Sequence, residues 1–349
     1  MENVIGADPS VGALGYSVRP AFANFYAVAG RFISIESADR QFAELFRHYF
    51  AGWHVEAVGG VAAQPDATIL IRATGEPSQA PSHFESFDVA EGGICRTDAS
   101  SYFFENNGSA VKADGEHPPR VEVWVGKSPQ ARERAALARL IFNASMTAMR
   151  RCGLFELHAA GVVKPDGAGL LVIGPSGSGK STLATQLASA GWQYLSDDAL
   201  LLYSKAEKVR AHALRRVFAL TDESLAASTF EDLESIATRA EPFDPLKRRF
   251  EPRSVFPDRF IETCVPTTLF FSQITNESTS RTRALSRSET MARLIRMCPW
   301  ACYDKAVAEP HLRVLAELAR QARGFELFAG TDLFSDAEYA GNYLLSQTR

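Results

Sequence analysis

The sequence contains little cysteine and no long apolar segment. Five cysteines occur among 349 residues, none of them in a C-x-x-C pair: Cys95, Cys152, Cys264, Cys298 and Cys302. An odd number of dispersed cysteines favours reduced thiols over a disulfide framework or a zinc site. No segment approaches the roughly 20 apolar residues of a membrane span, and residues 1–9 lack a basic segment followed by an apolar core. These absences predict a cytoplasmic protein without a membrane partner.

The sequence also lacks an excess of either charge and any internal repeat. Lys and Arg number 37 and Asp and Glu number 41, which gives a formal net charge of −4. Such a balance provides no global attraction to nucleic acid or to anionic lipid, so neither is a predicted partner. The length predicts two domains, since a domain usually takes roughly 100 to 200 residues.

One segment, residues 170–182, has the pattern of a phosphate-binding loop. A strand is predicted over residues 170–173 and a helix over residues 181–190, closed by Gly191. Between them the sequence fills every fixed position of G-x-x-x-x-G-K-[ST], whose backbone N–H groups and helix N-terminus suit phosphate. A glycine-rich turn without a ligand is the alternative. The predicted nucleotide-binding residues are Gly174, Pro175, Ser176, Gly177, Ser178, Gly179, Lys180, Ser181 and Thr182.

Within this loop, two side chains have specific predicted roles. Lys180 is expected to reach the β- and γ-phosphates of a nucleotide, and Ser181 is expected to ligate Mg²⁺. The motif therefore predicts ATP and Mg²⁺ as cofactors.

Two adjacent carboxylates, Asp197 and Asp198, interrupt the next predicted strand, residues 191–203. Their like charges oppose simultaneous ionisation unless a divalent cation lies beside them. The pair therefore suits one metal ligand and one general base. A solvated turn or a helix cap is the alternative interpretation.

Residues 1–127 consist mainly of apolar or alternating segments, which are typical of strands. A helix is predicted over residues 39–50, where Phe42, Leu45, Phe46 and Tyr49 recur at helical spacing. No catalytic constellation is visible there, and we predict a strand-rich α+β domain. Its predicted strands are residues 16–18, 27–35, 55–61, 67–72 and 121–125.

Ser128 and Pro129 are predicted to begin a long helix, as its N-cap and its first residue. This helix should end near Cys152, with Gly153 in a left-handed conformation. We interpret residues 128–153 as a connecting helix and residues 154–349 as the second domain. Residues 154–163 are predicted to form one strand, paired as a hairpin with the strand before the phosphate-binding loop. His158 lies inside that strand, where its role is either structural or chemical.

Basic residues follow the acidic pair. Arg210, Arg215 and Arg216 come next, and Lys247 begins a basic run in a segment punctuated by proline and predicted as a loop. Arg216 or Lys247 is a candidate to offset charge on a transferring phosphoryl group. Solvated surface charge is the alternative.

The remaining segment should complete an α/β domain. A strand is predicted over residues 266–272, followed by a helix with Ser288 as its cap. A further helix should begin at Pro310 and end before Gly324, and residues 325–328 should form the last strand.

Around the phosphate-binding loop, Leu157-His-Ala-Ala-Gly-Val-Val163 precedes and Leu195-Ser-Asp-Asp198 follows. Residues 154–203 therefore resemble the catalytic domain of bacterial HPr kinase/phosphorylase. The resemblance implies an α/β fold, a P-loop domain of the HPr kinase/phosphoenolpyruvate carboxykinase type. It also implies that Asp197 deprotonates an acceptor hydroxyl, that Asp198 with Ser181 holds Mg²⁺, and that His158 lies near the phosphates.

The sequence departs from that family in three respects. Alanine follows His158 where the family has glycine, and the arginine–glycine–leucine–glycine signature of phosphorylase activity is absent. Residues 1–127 do not resemble the family's N-terminal domain, which argues against the same HPr substrate and the same hexamer. The chain is more similar to HPr-kinase-related proteins, some of which resemble serine kinases that modify ribosomally made peptides. Phosphotransfer without phosphorolysis is therefore predicted.

The predicted function is ATP-dependent phosphorylation of a serine or threonine hydroxyl on a protein or peptide of unknown identity. A kinase of a small metabolite on the same fold is one alternative. A nucleotide-sensing regulatory module without turnover is another, although the presence of both acids argues against it. A homo-oligomer remains an open option. The predicted catalytic residues are His158, Lys180, Asp197, Arg216 and Lys247.

Overall fold

The computed structural model describes residues 21–59, 64–72, 80, 82–89, 93–226, 233–239 and 246–348. These residues form a mixed α/β structure whose strands belong to four sheets. The strand predicted over residues 16–18 lies outside the described residues.

A nine-stranded sheet occupies the first third of the chain. Its order is β3-β1-β2-β4-β9-β8-β7-β6-β5, with β4 parallel to both of its neighbours. The predictions for residues 67–72 and 121–125 are confirmed by β4 and β9. Its strands are β1 (Phe22–Val28), β2 (Arg31–Ser37), β3 (Glu56–Val58), β4 (Ala67–Arg72), β5 (Glu85–Val89), β6 (Gly93–Thr97), β7 (Tyr102–Asn106), β8 (Ser109–Ala113) and β9 (Arg120–Trp124).

The single strand predicted over residues 27–35 is wrong, because the chain turns back on itself there. β1 and β2 pair antiparallel and are joined by Ala29 and Gly30, whose φ angles are 48° and 76°. Positive φ at both central residues matches the right-handed twist of the flanking strands. Of the strand predicted over residues 55–61, the structure describes β3, and residues 60 and 61 lie outside the described residues.

Two helices cover this sheet, α1 (Arg40–Phe50) and α2 (Arg134–Arg151). The prediction of α1 is confirmed, and the Asp39 side chain caps it by accepting from the Gln41 N–H at 2.8 Å. The predicted start of α2 is wrong. Ser128 Oγ accepts from the Ala131 N–H at 3.1 Å and so caps a separate 3-10 turn, Gln130–Arg132.

Helix α2 belongs to the packing of the nine-stranded sheet. Its residues Leu140, Ile141 and Ala144 are buried in the sheet's hydrophobic core. Leu201 and Leu214, from later in the chain, join the same core. The helix ends at Cys152, and Gly153 has a φ of 77°, as predicted. The domain limits at residues 127 and 153 stay a prediction.

Thirteen strands follow among the described residues. They form a four-stranded sheet (β10-β14-β15-β19), a six-stranded sheet (β13-β11-β12-β20-β22-β21) and a three-stranded sheet (β16-β18-β17). The strands are β10 (Phe155–Leu157), β11 (Ala159–Val163), β12 (Gly169–Ile173), β13 (Gln193–Ser196), β14 (Leu200–Lys205), β15 (Lys208–Ala213), β16 (Phe218–Thr221), β17 (Thr238–Arg239), β18 (Lys247–Phe250), β19 (Thr263–Cys264), β20 (Pro266–Ile274), β21 (Arg281–Leu285) and β22 (Arg323–Ala329).

The six-stranded sheet is buried on both faces. Leu170 and Val172 of β12 face one hydrophobic core, and Leu171 and Ile173 face another. Burial on both sides explains why this strand is a continuous apolar run. The helices around the sheets are α3 (Lys180–Ser189), α4 (Asp222–Ala226), α5 (Leu233–Ile236), α6 (Pro252–Val255), α7 (Arg287–Met297), α8 (Trp300–Tyr303), α9 (Lys305–Gln321), α10 (Asp332–Ser335) and α11 (Ala337–Gln347).

Residues 154–163 are not one strand as predicted. β10 pairs with β14 in the four-stranded sheet, whereas β11 pairs antiparallel with β12 in the six-stranded sheet. The predicted hairpin with β12 is therefore confirmed for β11 alone. The chain changes sheet at His158, which lies between the two strands.

Three further boundaries differ from the predictions. Ser286, and not Ser288, caps α7, because a capping box with Glu289 satisfies both ends of that turn. Pro310 lies inside α9, one turn after its start, and does not begin it. Lys247 opens strand β18, which pairs with β16 and β17, and does not lie in a loop. The predicted strands at residues 266–272 and 325–328 are confirmed by β20 and β22.

Candidate active site

Strand order brings the predicted site residues to one edge of the six-stranded sheet. β12 ends at the phosphate-binding loop, and β11 runs antiparallel to it, so the start of β11 at His158 lies beside the loop. β13 runs antiparallel to β11 in turn, so its end at Asp197 lies at the same edge. Binding sites of α/β sheets commonly form at such an edge, outside the ends of the strands.

The phosphate-binding loop is closely packed at its base and open at its tip. A Cβ atom on Gly174 would lie 2.6 Å from the Ser272 carbonyl oxygen, so that position requires glycine. Gly179 precedes α3 with a φ of 83°, in the region that disfavours other residues. Pro175, Ser176 and Gly177 are exposed at the tip. The strand and the helix are as predicted, and the binding of phosphate stays a prediction.

Lys180 is buried beneath this loop. Its ammonium group donates to the carbonyl oxygens of Gly174 and Pro175, both at 2.9 Å. Burial lowers the pKa of Lys180 to about 8, and the nearby Lys247 adds to this effect while Asp198 and Asp197 oppose it. The lysine is thus held at the loop by backbone oxygens, close to both acids.

Asp197 is buried with 1% of its surface exposed. Its Oδ2 accepts from the Ala219 N–H of β16 at 2.8 Å, and its Oδ1 has no hydrogen-bond partner among the described residues. Burial, together with the charge of Asp198, raises the pKa of Asp197 to about 7. The Ser181 hydroxyl lies close enough to lower this pKa. The structure therefore brings Ser181 to the first acid of the pair.

Asp198 faces solvent and contacts His158. Its side chain is 47% exposed, and its Oδ1 lies 3.2 Å from His158 Nδ1. Burial lowers the pKa of His158, although Asp198 opposes the shift. A neutral imidazole that donates from Nδ1 to Asp198 would orient this carboxylate. The two acids thus have different surroundings, one buried beside Ser181 and the other accessible beside a histidine.

The predicted basic residues behave differently from one another. Lys247 is near enough to lower the pKa of both His158 and Lys180, so the structure brings it into the site. Arg216 instead donates from Nε to the Trp53 carbonyl oxygen, on the side of the nine-stranded sheet. Its role at a phosphoryl group stays a prediction.

Two contributors to the site were missed by sequence reasoning. The Arg215 guanidinium lowers the pKa of Asp197, and the Ala219 N–H donates to the same carboxyl. A backbone donor leaves no signal in a sequence. Arg215 and Arg216 are adjacent and alike, so the sequence offers no means of choosing between them.

The remaining predicted loop residue, Thr182, lies on the first turn of α3 and donates from Oγ1 to Ser224 Oγ at 3.0 Å. This bond connects the helix to the segment after β16. Ser178 is buried, and its Oγ has no hydrogen-bond partner among the described residues.

The donor atoms present suit Mg²⁺. A hydroxyl, Ser181 Oγ, lies beside a buried carboxylate oxygen, Asp197 Oδ1, that no described residue satisfies. Mg²⁺ prefers such oxygen ligands and commonly takes one or two protein ligands together with substrate phosphates. The described residues contain no group of three or more His, Cys, Asp or Glu arranged to hold a metal ion.

Comparison with known proteins gives a distant structural likeness and no family. No protein-family model and no curated protein matches the chain. Among solved structures, the Hpr(Ser) kinase/phosphatase from Coxiella burnetii is similar, with 14% sequence identity and a TM-score of 0.26. The alignment covers 38% of this chain and 71% of that one. Among the described residues, no helix is long and apolar enough to cross a membrane.

Proposed function

We propose that the protein is an ATP-dependent kinase that transfers the γ-phosphoryl group to a hydroxyl of a protein or peptide. One observation carries the proposal. A buried lysine, a buried acid beside the Walker-type serine and a solvent-accessible acid beside a histidine meet at the loop whose sequence binds phosphate. Phosphoryl transfer needs these parts: a phosphate cradle, charge compensation and a group to accept the hydroxyl proton.

The surroundings of the two acids favour an exchange of the roles that the family resemblance implies. A hydroxyl of a protein substrate has no path to Asp197, which is almost fully buried, whereas Asp198 is half exposed. Asp197 and Ser181 together offer the oxygen atoms that Mg²⁺ requires. We therefore assign the metal to Asp197 with Ser181 and the proton-accepting role to Asp198, oriented by His158.

The proposed reaction proceeds in one displacement. The acceptor oxygen forms a bond to the γ-phosphorus as its proton passes to the Asp198 carboxylate, and the bond from the γ-phosphorus to the β–γ bridging oxygen breaks to release ADP. Lys180 and Lys247 offset the negative charge that spreads over the phosphoryl oxygens. Mg²⁺, when bound, supplies further charge neutralisation between the β- and γ-phosphates.

The experiment that tests the function identifies the acceptor. A cell extract is incubated with Mg²⁺, γ-labelled ATP and either the wild-type protein or the Lys180→Met variant. Phosphopeptide mass spectrometry should then find serine or threonine sites labelled by the wild type alone. Label on a small metabolite would favour the alternative kinase, and nucleotide binding without label or ADP release would favour a sensing module.

The absence of the phosphorylase signature leaves the prediction of forward transfer alone in place. Attack of inorganic phosphate on a phosphorylated acceptor requires two anions side by side, which repel strongly in a partly dehydrated site. Incubation of the labelled acceptor with Mg²⁺ and excess phosphate should yield no pyrophosphate by ³¹P NMR. Pyrophosphate formed as fast as the forward reaction would contradict it.

A further inference from the structure

Two apolar side chains adjoin the phosphate-binding loop on the side away from Asp197. Ile274, the last residue of β20, is 52% exposed although it is a large hydrophobic residue. Phe334, in α10, packs against the loop itself: a Cβ atom on Gly179 would lie 2.8 Å from its Cζ and 3.4 Å from Ile274 Cγ1. We call these two side chains the Ile274–Phe334 ledge.

Hydrogen bonds hold the ledge in position. Gln186 of α3 donates from Nε2 to the Phe334 carbonyl oxygen at 2.6 Å. Asp332, at the start of α10, accepts from the Ser280 N–H at 2.9 Å and from the Tyr339 hydroxyl at 3.1 Å. The loop helix and the chain around α10 are therefore tied together, so the ledge is formed before any ligand binds.

Strand order gives the direction in which a bound nucleotide must run. From β12 the sheet continues through β11 to β13 and Asp197 on one side, and through β20 to β22 on the other. A nucleotide whose terminal phosphate faces the acids must extend its sugar and base across the loop to the opposite side. The ledge lies there, at the end of β20.

We propose that the Ile274–Phe334 ledge binds the base of the nucleotide whose phosphates occupy the loop. This inference rests on the proposed function. A nucleobase has flat apolar faces that stack on an aromatic ring or an aliphatic side chain, and every base offers such a face. The exposed apolar surface of Ile274, joined to the loop, fits this occupant because the phosphates and the base are parts of one molecule.

The test compares ATP with inorganic triphosphate, which has the phosphates but no base. Calorimetry in Mg²⁺ gives both dissociation constants for the wild type, Ile274→Ser, Phe334→Leu and a control, Phe32→Ser. Phe32 is 41% exposed on the nine-stranded sheet. We expect each ledge variant to weaken ATP binding roughly tenfold and to leave triphosphate binding unchanged. The control should change neither.

Each contrary outcome has a definite meaning. Wild-type affinity for ATP no greater than that for triphosphate would overturn the ledge and leave the phosphate site intact. The same conclusion follows if Ile274→Ser changes neither affinity or both equally, because the exposed isoleucine would then have no contact with a base. Failure of the wild type to bind either ligand would overturn the proposed function and the ledge together.

Discussion

The nine-stranded sheet and the six-stranded sheet differ in how they treat buried polar groups. In the described part of residues 21–125, Trp53 Nε1 is the single buried side-chain polar atom that lacks a hydrogen-bond partner. Around the phosphate-binding loop, Ser178 Oγ, Gln186 Oε1 and Asp197 Oδ1 all lack one among the described residues. Unsatisfied buried groups cost stability and commonly persist where a ligand completes them. The first region is therefore built for packing, and the second is built to receive something.

Removal of the loop lysine should give the largest effect. Lys180→Met should lower phosphotransfer about a thousandfold, because a buried cation no longer compensates the phosphates. ADP release measures the rate, and circular dichroism should show an intact fold. Lys205→Met, on an exposed position of β14, is the matched control and should keep wild-type turnover. Turnover near wild type in Lys180→Met would remove the loop from the mechanism.

The two acids should separate next. Asp198→Asn should lower the rate about a hundredfold with little change in the Mg²⁺ concentration at half-maximal activity, because it removes the proton acceptor. Asp197→Asn should raise that Mg²⁺ concentration, because it removes the buried oxygen beside Ser181. Titration of activity with Mg²⁺ distinguishes them. The opposite pattern would restore the assignment that the family resemblance implies.

Stability should respond in opposite directions in the two regions. Ile69 is fully buried in the nine-stranded sheet, and Ile69→Val should cost about 1 kcal/mol through the lost methylene group. Asp197→Asn should instead stabilise the protein by about 2 kcal/mol at pH 8, since each unit of pKa shift corresponds to about 1.4 kcal/mol.

The sign for Asp197 follows from proton uptake. Its pKa is raised in the folded state from 3.8 to about 7, so between these values the folded protein binds more protons than the unfolded chain. Stability from this group is therefore present below about pH 4 and is lost as the pH rises through about 7. Urea unfolding at pH 4 and pH 8 should show the gain from Asp197→Asn at pH 8 alone. An equal gain at both values would contradict the buried charge.

The parts of the fold that local sequence determines were predictable. The glycine pattern between an apolar run and a helical segment located β12 and α3, because each depends on neighbouring residues. The change of sheet at His158 was not predictable, since β10 and β11 are both apolar and their partners, β14 and β12, are chosen by tertiary packing. Lys247 was predicted in a loop for the same reason: its strand exists through pairing with residues of β16.

The site itself was predictable by residue type but not by arrangement. The sequence identifies Ser181, Asp197 and Asp198 as a set, yet adjacent acids look alike until burial separates them. The structure separates them because Asp197 ends β13 and turns toward Ala219, whereas Asp198 follows it into solvent. The contribution of Arg215 likewise depends on aromatic residues that lie far away in the chain.

The smallest expected effect tests whether the packing region influences the ligand region through Arg215. Its guanidinium carbon lies 5.4 Å from the Trp53 ring centre and 5.5 Å from that of Phe142, and it lowers the pKa of Asp197. Arg215→Met keeps a side chain of similar size between the rings but removes the charge. The pKa of Asp197 should then rise by about one unit or less, a change of about 1 kcal/mol. Because the carboxyl must ionise to bind Mg²⁺, Mg²⁺ affinity should fall near pH 7 and recover near pH 9. Arg216→Met is the matched control, since it removes the neighbouring charge that bonds to the Trp53 carbonyl oxygen. A shift of the pH midpoint in Arg216→Met and not in Arg215→Met would reverse the assignment of the two arginines, and the nine-stranded sheet would then hold no charge that acts on the acid.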